Sequence, residues 1–292
     1  SIDVSPDETI TVYVFRPDDS ANVGVLFRSV YGEDYPVKLV YEPEGLVEAF
    51  RNQENIPAVA RSSKGGLVGY VSLFRSAPSK KVYEGGQGLV RADYRKHGIA
   101  SVMNRYFAEV MAPMYDVDAA FGEAVCNHPY MQKAWANEGG IETALEVDLM
   151  PAQAYAREGS AAGRVASLHM TRMYRRLNHT VYAPERYEEA MRFIYAGINT
   201  GASVVRAGNI GPVDRRTSIE SRLFEFASVA RLTVWDAGAD FADVFERHEA
   251  EALGNGMIVV QAWLNLSWPW IAQLTEYLRG RGYFFGGILP RW

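Results

Sequence analysis

The sequence has little cysteine, no excess of positive charge and no leader-like beginning. Its single cysteine, Cys126, cannot form an internal disulfide, so the fold does not need an oxidising compartment. Its 30 Lys and Arg residues stand against 35 Asp and Glu, and this balance argues against broad binding to nucleic acid or acidic membranes. The first ten residues lack the basic and apolar segments of a signal peptide. We expect a cytoplasmic protein without nucleic-acid or membrane partners, and a buried Cys126.

An uncharged stretch at residues 252–275 is long enough to cross a bilayer. Polar residues, a proline and two glycines interrupt it, which fits a strand, a turn and a helix better than one spanning helix. With 292 residues, 48% of them hydrophobic, the chain can build one large domain or two modest ones. Strand and helix patterns alternate along it, which predicts an α/β fold.

The second half of the sequence repeats features of the first. Residues 41–51 and 182–192 share Tyr, Pro, Glu, Glu, Ala and Arg at an offset of 141, and Pro129 corresponds to Pro269 at nearly the same offset. Two matches in one register favour a tandem duplication. We therefore predict an N-terminal domain at residues 1–157 and a C-terminal domain at residues 164–292, joined by the linker-like EGSAAG at 158–163.

The segment at residues 88–103 carries the clearest chemical signal. A strand ends, a basic turn with Arg95, Lys96 and His97 follows, and Gly98 opens an amphipathic helix over residues 98–111. Unpaired N–H groups and the positive end of the dipole make a helix N-terminus an anion site, and a glycine lets a phosphate approach the backbone. The pattern predicts a phosphate-binding turn.

The pattern Arg95-x-x-Gly98-x-Ala100 resembles the pyrophosphate-binding motif of the GNAT superfamily of N-acetyltransferases. The order of elements over about residues 8–150 is also similar to that family. The resemblance implies two tandem GNAT-like domains, each a mixed, mostly antiparallel twisted sheet flanked by helices. It implies acetyl-CoA or another acyl-CoA as co-substrate. The residues that would bind it are Leu89, Val90, Arg91, Arg95, Lys96, His97, Gly98, Ile99, Ala100 and Ser101.

Amine acylation requires a base for the nucleophile and an acid for the departing thiolate. Glu84 lies on the strand where the family carries its base, Glu123 is the second candidate and His128 the third. Each also has a structural interpretation, as a solvated strand residue, an acid paired with an Arg, or a helix cap. The family's late helix often carries a Tyr as the acid, but this sequence has Ala134 or Trp135 there, so the acid is missing or displaced to Tyr130.

The second half lacks the basic turn, since Asp236 and Asp240 stand where the first half has basic residues. A carboxylate repels pyrophosphate, so we expect a degenerate C-terminal domain that forms a wall of the acceptor cleft or braces the first domain. The sequence thus predicts an acyl-CoA-dependent N-acyltransferase that acts, by direct attack, on an amine of a small molecule or peptide. The alternatives are a non-catalytic acyl-CoA sensor or interaction module and a structural dimerisation protein. The five histidines show no metal-ligand spacing, so no metal is expected, and a homodimer stays open.

Overall fold

The computed structural model describes residues 1–155, 162–211 and 214–292, so most of the predicted linker at 158–163 and the boundary at residue 157 lie outside it. The helices are α1 (Ser20–Tyr31), α2 (Pro43–Arg51), α3 (Ile99–Tyr106), α4 (Ala112–Met114), α5 (Tyr130–Asn137), α6 (Glu188–Gly197), α7 (Phe241–Gly254) and α8 (Ile271–Gly280). The strands are β1 (Ile2–Ser5), β2 (Glu8–Val14), β3 (Asn55–Ser62), β4 (Leu67–Phe74), β5 (Val82–Val90), β6 (Ala119–Val125), β7 (Ile141–Pro151), β8 (Arg164–Met173), β9 (His179–Ala183), β10 (Ala202–Arg206), β11 (Ser218–Phe224), β12 (Val229–Asp236) and β13 (Val259–Trp263).

An eight-stranded sheet organises the N-terminal half, in the order β1-β2-β3-β4-β5-β6-β8-β7. Every neighbouring pair is antiparallel except β5 and β6, which run parallel. Helices cover the sheet, so the predicted mixed, mostly antiparallel α/β fold is confirmed. The predicted start of the second domain at residue 164 is wrong, because β8 inserts between β6 and β7 of this sheet. Local sequence patterns do not show which sheet a strand at this position joins.

The parallel pair opens shortly after it forms. Its register covers only Val82–Glu84 against Ala119–Phe121, after which β5 stays with β4 and β6 stays with β8. The connection between the two strands is the helix predicted at residues 98–111, in which Ile99, Met103 and Met111 are buried against the sheet. This helix continues from α3 through a π-helical turn at Phe107–Met111 into α4. A gap between β5 and β6 is therefore left beneath the buried face of this helix.

The C-terminal half contains a parallel pair, β9 with β10, and a three-stranded sheet, β11-β12-β13. In that sheet β11 and β12 are antiparallel, while β12 and β13 are parallel and joined by α7, with α8 following. This order repeats β4-β5-α3-β6-α5 of the first half. The duplication itself stays a prediction, since the first half places α1 and α2 after β2 whereas the second half places only α6 after β9.

Two other expectations concern the chain's surface. Cys126 is exposed rather than buried, because it follows β6 at the edge of the α5 connection, so that prediction is wrong. Residues 252–275 contain the end of α7, all of β13 and the start of α8. Among the described residues, no helix is long and apolar enough to cross a membrane.

Candidate active site

A cleft of about 320 Å³ lies where β5 and β6 separate. It extends from Arg95 and Ala100, beside the basic turn, to Gly85 and Gly86 of β5. Its walls come from the inner strands, from α3 with its π-helical turn, and from α5. The predicted phosphate-binding turn and the opened strand pair therefore belong to one continuous cleft.

Gly98 is the N-cap residue of α3 and has a left-handed backbone, with φ of 74°. A Cβ atom placed there would meet no described atom within 4 Å, and no described side chain caps the helix. Arg95 and Lys96 are exposed and take part in none of the ion pairs among the described residues. The Nε of Arg95 donates a 3.2 Å hydrogen bond to the Val90 carbonyl, which leaves its charge without an acidic partner among the described residues. The turn therefore offers N–H groups, two cations and free space, which suit a phosphate.

The predicted cofactor-binding residues differ in whether their side chains line the cleft, lie beside it or are buried. Leu89, Val90, Arg95 and Ala100 line the cleft, whereas the Ile99 side chain is buried in the core. Lys96, His97 and Ser101 are exposed beside it. The Arg91 guanidinium is held by Asp93 through hydrogen bonds of 2.7 and 2.8 Å, so its charge is already paired.

A β-bulge in β5 borders the cleft. Tyr70 of β4 pairs with Leu89 and Ser72 pairs with Gly86, so Gln87 and Gly88 together oppose the single residue Val71. Gln87 adopts a left-handed φ of 56°. A bulge disrupts the ladder and leaves backbone groups unpaired. Gly86 and Gly88, on either side of Gln87, line the cleft, so the bulge borders it directly.

Trp135 closes the inner part of the cleft. Its ring lies against Gly85 of β5, packs edge-on against Phe107, and would overlap a Cβ atom at Gly122 of β6. It occupies the helix in which the family resemblance placed a Tyr, so α5 supplies no hydroxyl at that point. Glycines on both strands are thus explained by the space that the indole ring needs.

The predicted acid Tyr130 is 74% exposed, and it does not line the cleft. Its ring lies 5.1 Å from that of His128, whose Nδ1 is buried and has no hydrogen-bond partner among the described residues. Both residues follow the C-terminal end of β6, whereas the pairing of β6 with β5 ends earlier, at Phe121. His128 does not cap α5, since that helix has no side-chain cap among the described residues.

Tyr174 is a cleft residue that sequence reasoning missed. It follows β8 and lines the cleft with Trp135, and its hydroxyl is buried with no hydrogen-bond partner in the part of the chain that the structure describes. Burial raises the pKa of Tyr174 to about 12 and outweighs the nearby Arg172 charge, so the phenol stays protonated at neutral pH. No local pattern marks this tyrosine, because only the insertion of β8 beside β6 brings it to the cleft.

The predicted bases lie on the other face of the sheet. Tyr83, Ala120 and Ala124 face the helix side and belong to the core, so the alternating residues Glu84, Phe121 and Glu123 point away from it. Glu84 accepts a 2.6 Å hydrogen bond from Ser76. Burial raises the pKa of Glu84, although that hydrogen bond and the charges of His169 and Arg231 oppose the shift. The structure thus brings Glu84 and Glu123 to the same face, near the end of the parallel pairing.

Glu123 belongs to a cluster that the sequence did not reveal. Its Oε1 atom lies 3.7 Å from His169 Nε2 of β8 and 3.8 Å from an Arg231 guanidinium nitrogen of β12. Glu146 of β7 lies closer to His169, with 2.7 Å between Oε2 and Nε2. Glu123 does pair with an arginine, as its structural interpretation expected, and this arginine comes from the C-terminal half.

The two carboxyl groups of this cluster have opposite pKa shifts. Burial raises the pKa of Glu123 well above its usual range, and the neighbouring carboxylates of Glu146 and Glu84 raise it further. Burial also acts on Glu146, but the hydrogen bond from His169 and the charge of Arg231 outweigh it and lower the pKa. Paired carboxyl groups with diverging pKa values are typical of acid–base sites.

Glu123, Glu146 and His169 could each offer a ligand atom to a metal ion, since these atoms lie within 4.8 Å of one another. The Arg231 guanidinium approaches both carboxylates, at 3.8 and 3.6 Å. The Arg231 cation therefore already balances part of the charge of the two carboxylates. The cluster fits an acid–base role better than a metal site.

Sequence signals for these additional residues were weak. Glu146 and His169 each stand among apolar strand residues, which marks a buried polar group but does not identify its partner. Arg231 and Gln261 lie far along the chain from the N-terminal sheet. Only tertiary contacts bring the four side chains together.

No family model and no curated protein matches the chain. Among solved structures, it is similar to a ribosomal-protein-S5-alanine acetyltransferase from Vibrio fischeri, with 12% identity, a TM-score of 0.45, and coverage of 56% of this chain and 92% of that one. A spermidine N-acetyltransferase chimera from Vibrio cholerae shows 15% identity and a TM-score of 0.44 over 56% and 95% of the two chains. An N-acetyltransferase from Staphylococcus aureus shows 11% identity and a TM-score of 0.45 over 57% and 99%.

Proposed function

We propose that this chain is an acyl-CoA-dependent N-acyltransferase that transfers an acyl group, with acetyl as the simplest case, to an amine of a small molecule or peptide. One observation carries the proposal. A free, positively charged helix N-terminus and an opened parallel strand pair share one cleft, and a group of carboxyl side chains lies across the sheet from its inner end.

The donor would lie along the cleft with its phosphates at the turn. The amides of Gly98 and the residues after it, with Arg95 and Lys96, would hold the diphosphate. The bulge at Gln87 would bind the amide-containing arm of the donor, and the thioester would reach the point where β5 and β6 meet.

The reaction forms a C–N bond and breaks a C–S bond. Glu123 would take the proton from the attacking amine, because its side chain keeps 30% of its surface accessible while its raised pKa makes it a competent base. Glu84, which is hydrogen-bonded to Ser76, is the second candidate. The departing thiolate needs a proton, and Tyr174 would supply it from the helix side of the sheet.

A non-catalytic acyl-CoA sensor is the second candidate function. It is favoured by Trp135, whose ring lies against Gly85 and Gly122 and leaves less room for the acyl end of the donor at the strand opening. Both functions require binding of acyl-CoA, but only the enzyme releases free CoA when an amine is added.

The test combines a thermal shift with a turnover assay. A ligand that binds only the native state at a hundredfold excess over its Kd adds about 2.7 kcal/mol of stability, so acetyl-CoA should raise the melting temperature. Release of free CoA is then followed with a panel of small and peptidyl amines. Glu123→Gln and Tyr174→Phe should keep the thermal shift and lose most turnover. Absence of any shift at millimolar acetyl-CoA would reject both functions, and a shift without turnover on any amine would favour the sensor.

A further inference from the structure

We infer that the C-terminal half completes the catalytic centre: Arg231 and Gln261 act as positioning residues that hold Glu146 beside His169 and leave Glu123 as the group that exchanges the proton. The inference rests on the proposed function and adds to it a role for the second half. Glu123, Glu146 and His169 come from β6, β7 and β8 of the N-terminal sheet, whereas Arg231 and Gln261 come from β12 and β13.

Glu146 is held on both of its oxygen atoms. Its Oε1 accepts a 2.7 Å hydrogen bond from Gln261 Nε2, and its Oε2 lies 2.7 Å from His169 Nε2. The Arg231 guanidinium lies 3.6 Å from Oε1. A carboxylate that is buried, doubly hydrogen-bonded and next to a cation is stabilised in its ionised form. Glu146 therefore serves as a fixed negative charge and not as a proton carrier.

Glu123 is held less tightly by the same groups. Its contacts with His169 and Arg231 are 3.7 and 3.8 Å, and it faces the fixed charge of Glu146. Its side chain is 30% accessible, compared with 8% for Glu146. A substrate amine can therefore reach Glu123 more easily than Glu146. Glu123 exchanges the proton, and Glu146 supplies a fixed negative charge beside it.

Arg231 is itself fixed by the C-terminal half. Its guanidinium carbon lies 3.8 Å from the centre of the Trp263 ring and 5.3 Å from that of Phe224. Its Nε donates a 3.3 Å hydrogen bond to Gln261 Oε1. The residue is only 9% exposed, and removing a guanidinium from water is costly unless the site uses its charge. The aromatic contacts place that charge between the two carboxylates.

The charges around Glu123 make the inference testable by sign. The carboxylates of Glu84 on β5 and Glu146 on β7 raise the pKa of Glu123, and the Arg231 guanidinium on β12 lowers it. The His169 ring on β8 also contacts the Glu123 carboxylate. Arg222 on β11 lowers the pKa of Arg231 by charge repulsion. Loss of Arg231 removes an opposing cation, and loss of the Glu146 charge removes a repelling anion. These changes should move the ionisation of Glu123 in opposite directions.

The experiment compares the pH dependence of kcat for the full chain carrying Arg231→Met or Glu146→Gln. Activity rises as the base loses its proton, so Arg231→Met should shift the acidic limb upward by about one pH unit and Glu146→Gln should shift it downward. Arg231→Lys should restore part of the wild-type profile. Gln261→Leu changes no charge and should move the limb less than Arg231→Met. The matched control is Arg247→Met, an exposed arginine on α7.

Two further measurements separate this inference from the proposed function. The Kd for acetyl-CoA should be unchanged in every variant, because the cluster lies across the sheet from the cleft. Carboxyl titration of Glu123 by NMR should show the same opposite shifts without any turnover. Equal or same-direction shifts in folded Arg231→Met and Glu146→Gln would overturn the inference. An absence of acetyl-CoA binding by the wild type, with the titration shifts intact, would instead reject the proposed function.

Discussion

Gly98 and Gly238 lie in corresponding turns before α3 and α7, yet only Gly98 has open space beside it. A Cβ atom at Gly98 would meet no described atom within 4 Å, whereas one at Gly238 would overlap the backbone carbonyl of Arg215. The second turn is further closed by Asp240, which accepts a 2.9 Å hydrogen bond from the Thr217 amide. The two halves share an order of elements, but one turn is open to a ligand and the other is filled by the chain.

The first prediction is that Gly98→Val abolishes the thermal shift with acetyl-CoA. The added side chain would fill the space over the helix N-terminus. It would also cost about 1 to 2 kcal/mol of stability, because Gly98 has a φ of 74°.

The matched control is Gly66→Ala, compared with Gly98→Ala. Gly66 lies in the turn between β3 and β4, has a φ of 80° and also has no described atom near its Cβ position. Both alanine variants strain the backbone alike, but only Gly98→Ala should weaken acetyl-CoA binding. Arg95→Ala should weaken it less than Gly98→Val, since the helix amides remain. Unchanged affinity in folded Gly98→Val would exclude this turn as the phosphate site.

The second prediction is that one acyl-CoA binds per chain. Asp236 and Asp240 place negative charge in the second turn, and the segment at Arg215 covers Gly238. Isothermal titration calorimetry with acetyl-CoA should return a single site. Two equivalent sites would contradict the argument that the second half has lost cofactor binding.

The third prediction concerns the dependence of stability on pH. The pKa of Glu123 is raised by burial and by neighbouring carboxylates, so the folded protein favours its protonated form. That contribution is full below the unfolded pKa and is lost as pH rises through the folded pKa. Glutamine resembles the protonated form at every pH. Glu123→Gln should therefore change the free energy of unfolding little near about pH 4 and raise it near about pH 9.

Urea denaturation across this range measures the effect, with Glu251→Gln on the exposed face of α7 as the control. The control variant should show no growing difference from the wild type. A constant difference for Glu123→Gln over the whole range would show that Glu123 ionises in the folded protein as it does in the unfolded chain.

The fourth prediction tests the packing of the strand opening. A methyl group at Gly122 would overlap the Trp135 ring, so Gly122→Ala should destabilise the protein by about 1 to 3 kcal/mol. Gly88→Ala, on β5, adds a methyl group whose nearest described neighbour is 3.9 Å away, and it should cost less. Chemical denaturation of the two variants gives the comparison. Equal costs would mean that the indole ring can move out of the opening.

The sequence by itself determined the local features of this protein. The basic turn, Gly98 and the apolar stripe of the following helix are contained in about sixteen consecutive residues, so their geometry depends on backbone preferences and side-chain periodicity. Strand alternation fixes which residues of β5 lie on the side of Glu84 and which residues of β6 lie on the side of Glu123, whereas the parallel pairing of the two strands is seen only in the structure.

Only the tertiary structure decided how these features combine into a site. Because β8 lies between β6 and β7, residues 164–173 belong to the first sheet, and Tyr174 and His169 lie at the site. Glu146 meets Gln261 across a separation of 115 residues, and no periodicity encodes such a contact. The local sequence pattern indicates which side chains are buried and which face of a strand or helix they lie on. The pairing of buried charges depends on which surfaces pack together. For that reason the basic turn at Gly98 could be predicted from the sequence, whereas the charge cluster around Glu123 could be found only from the fold.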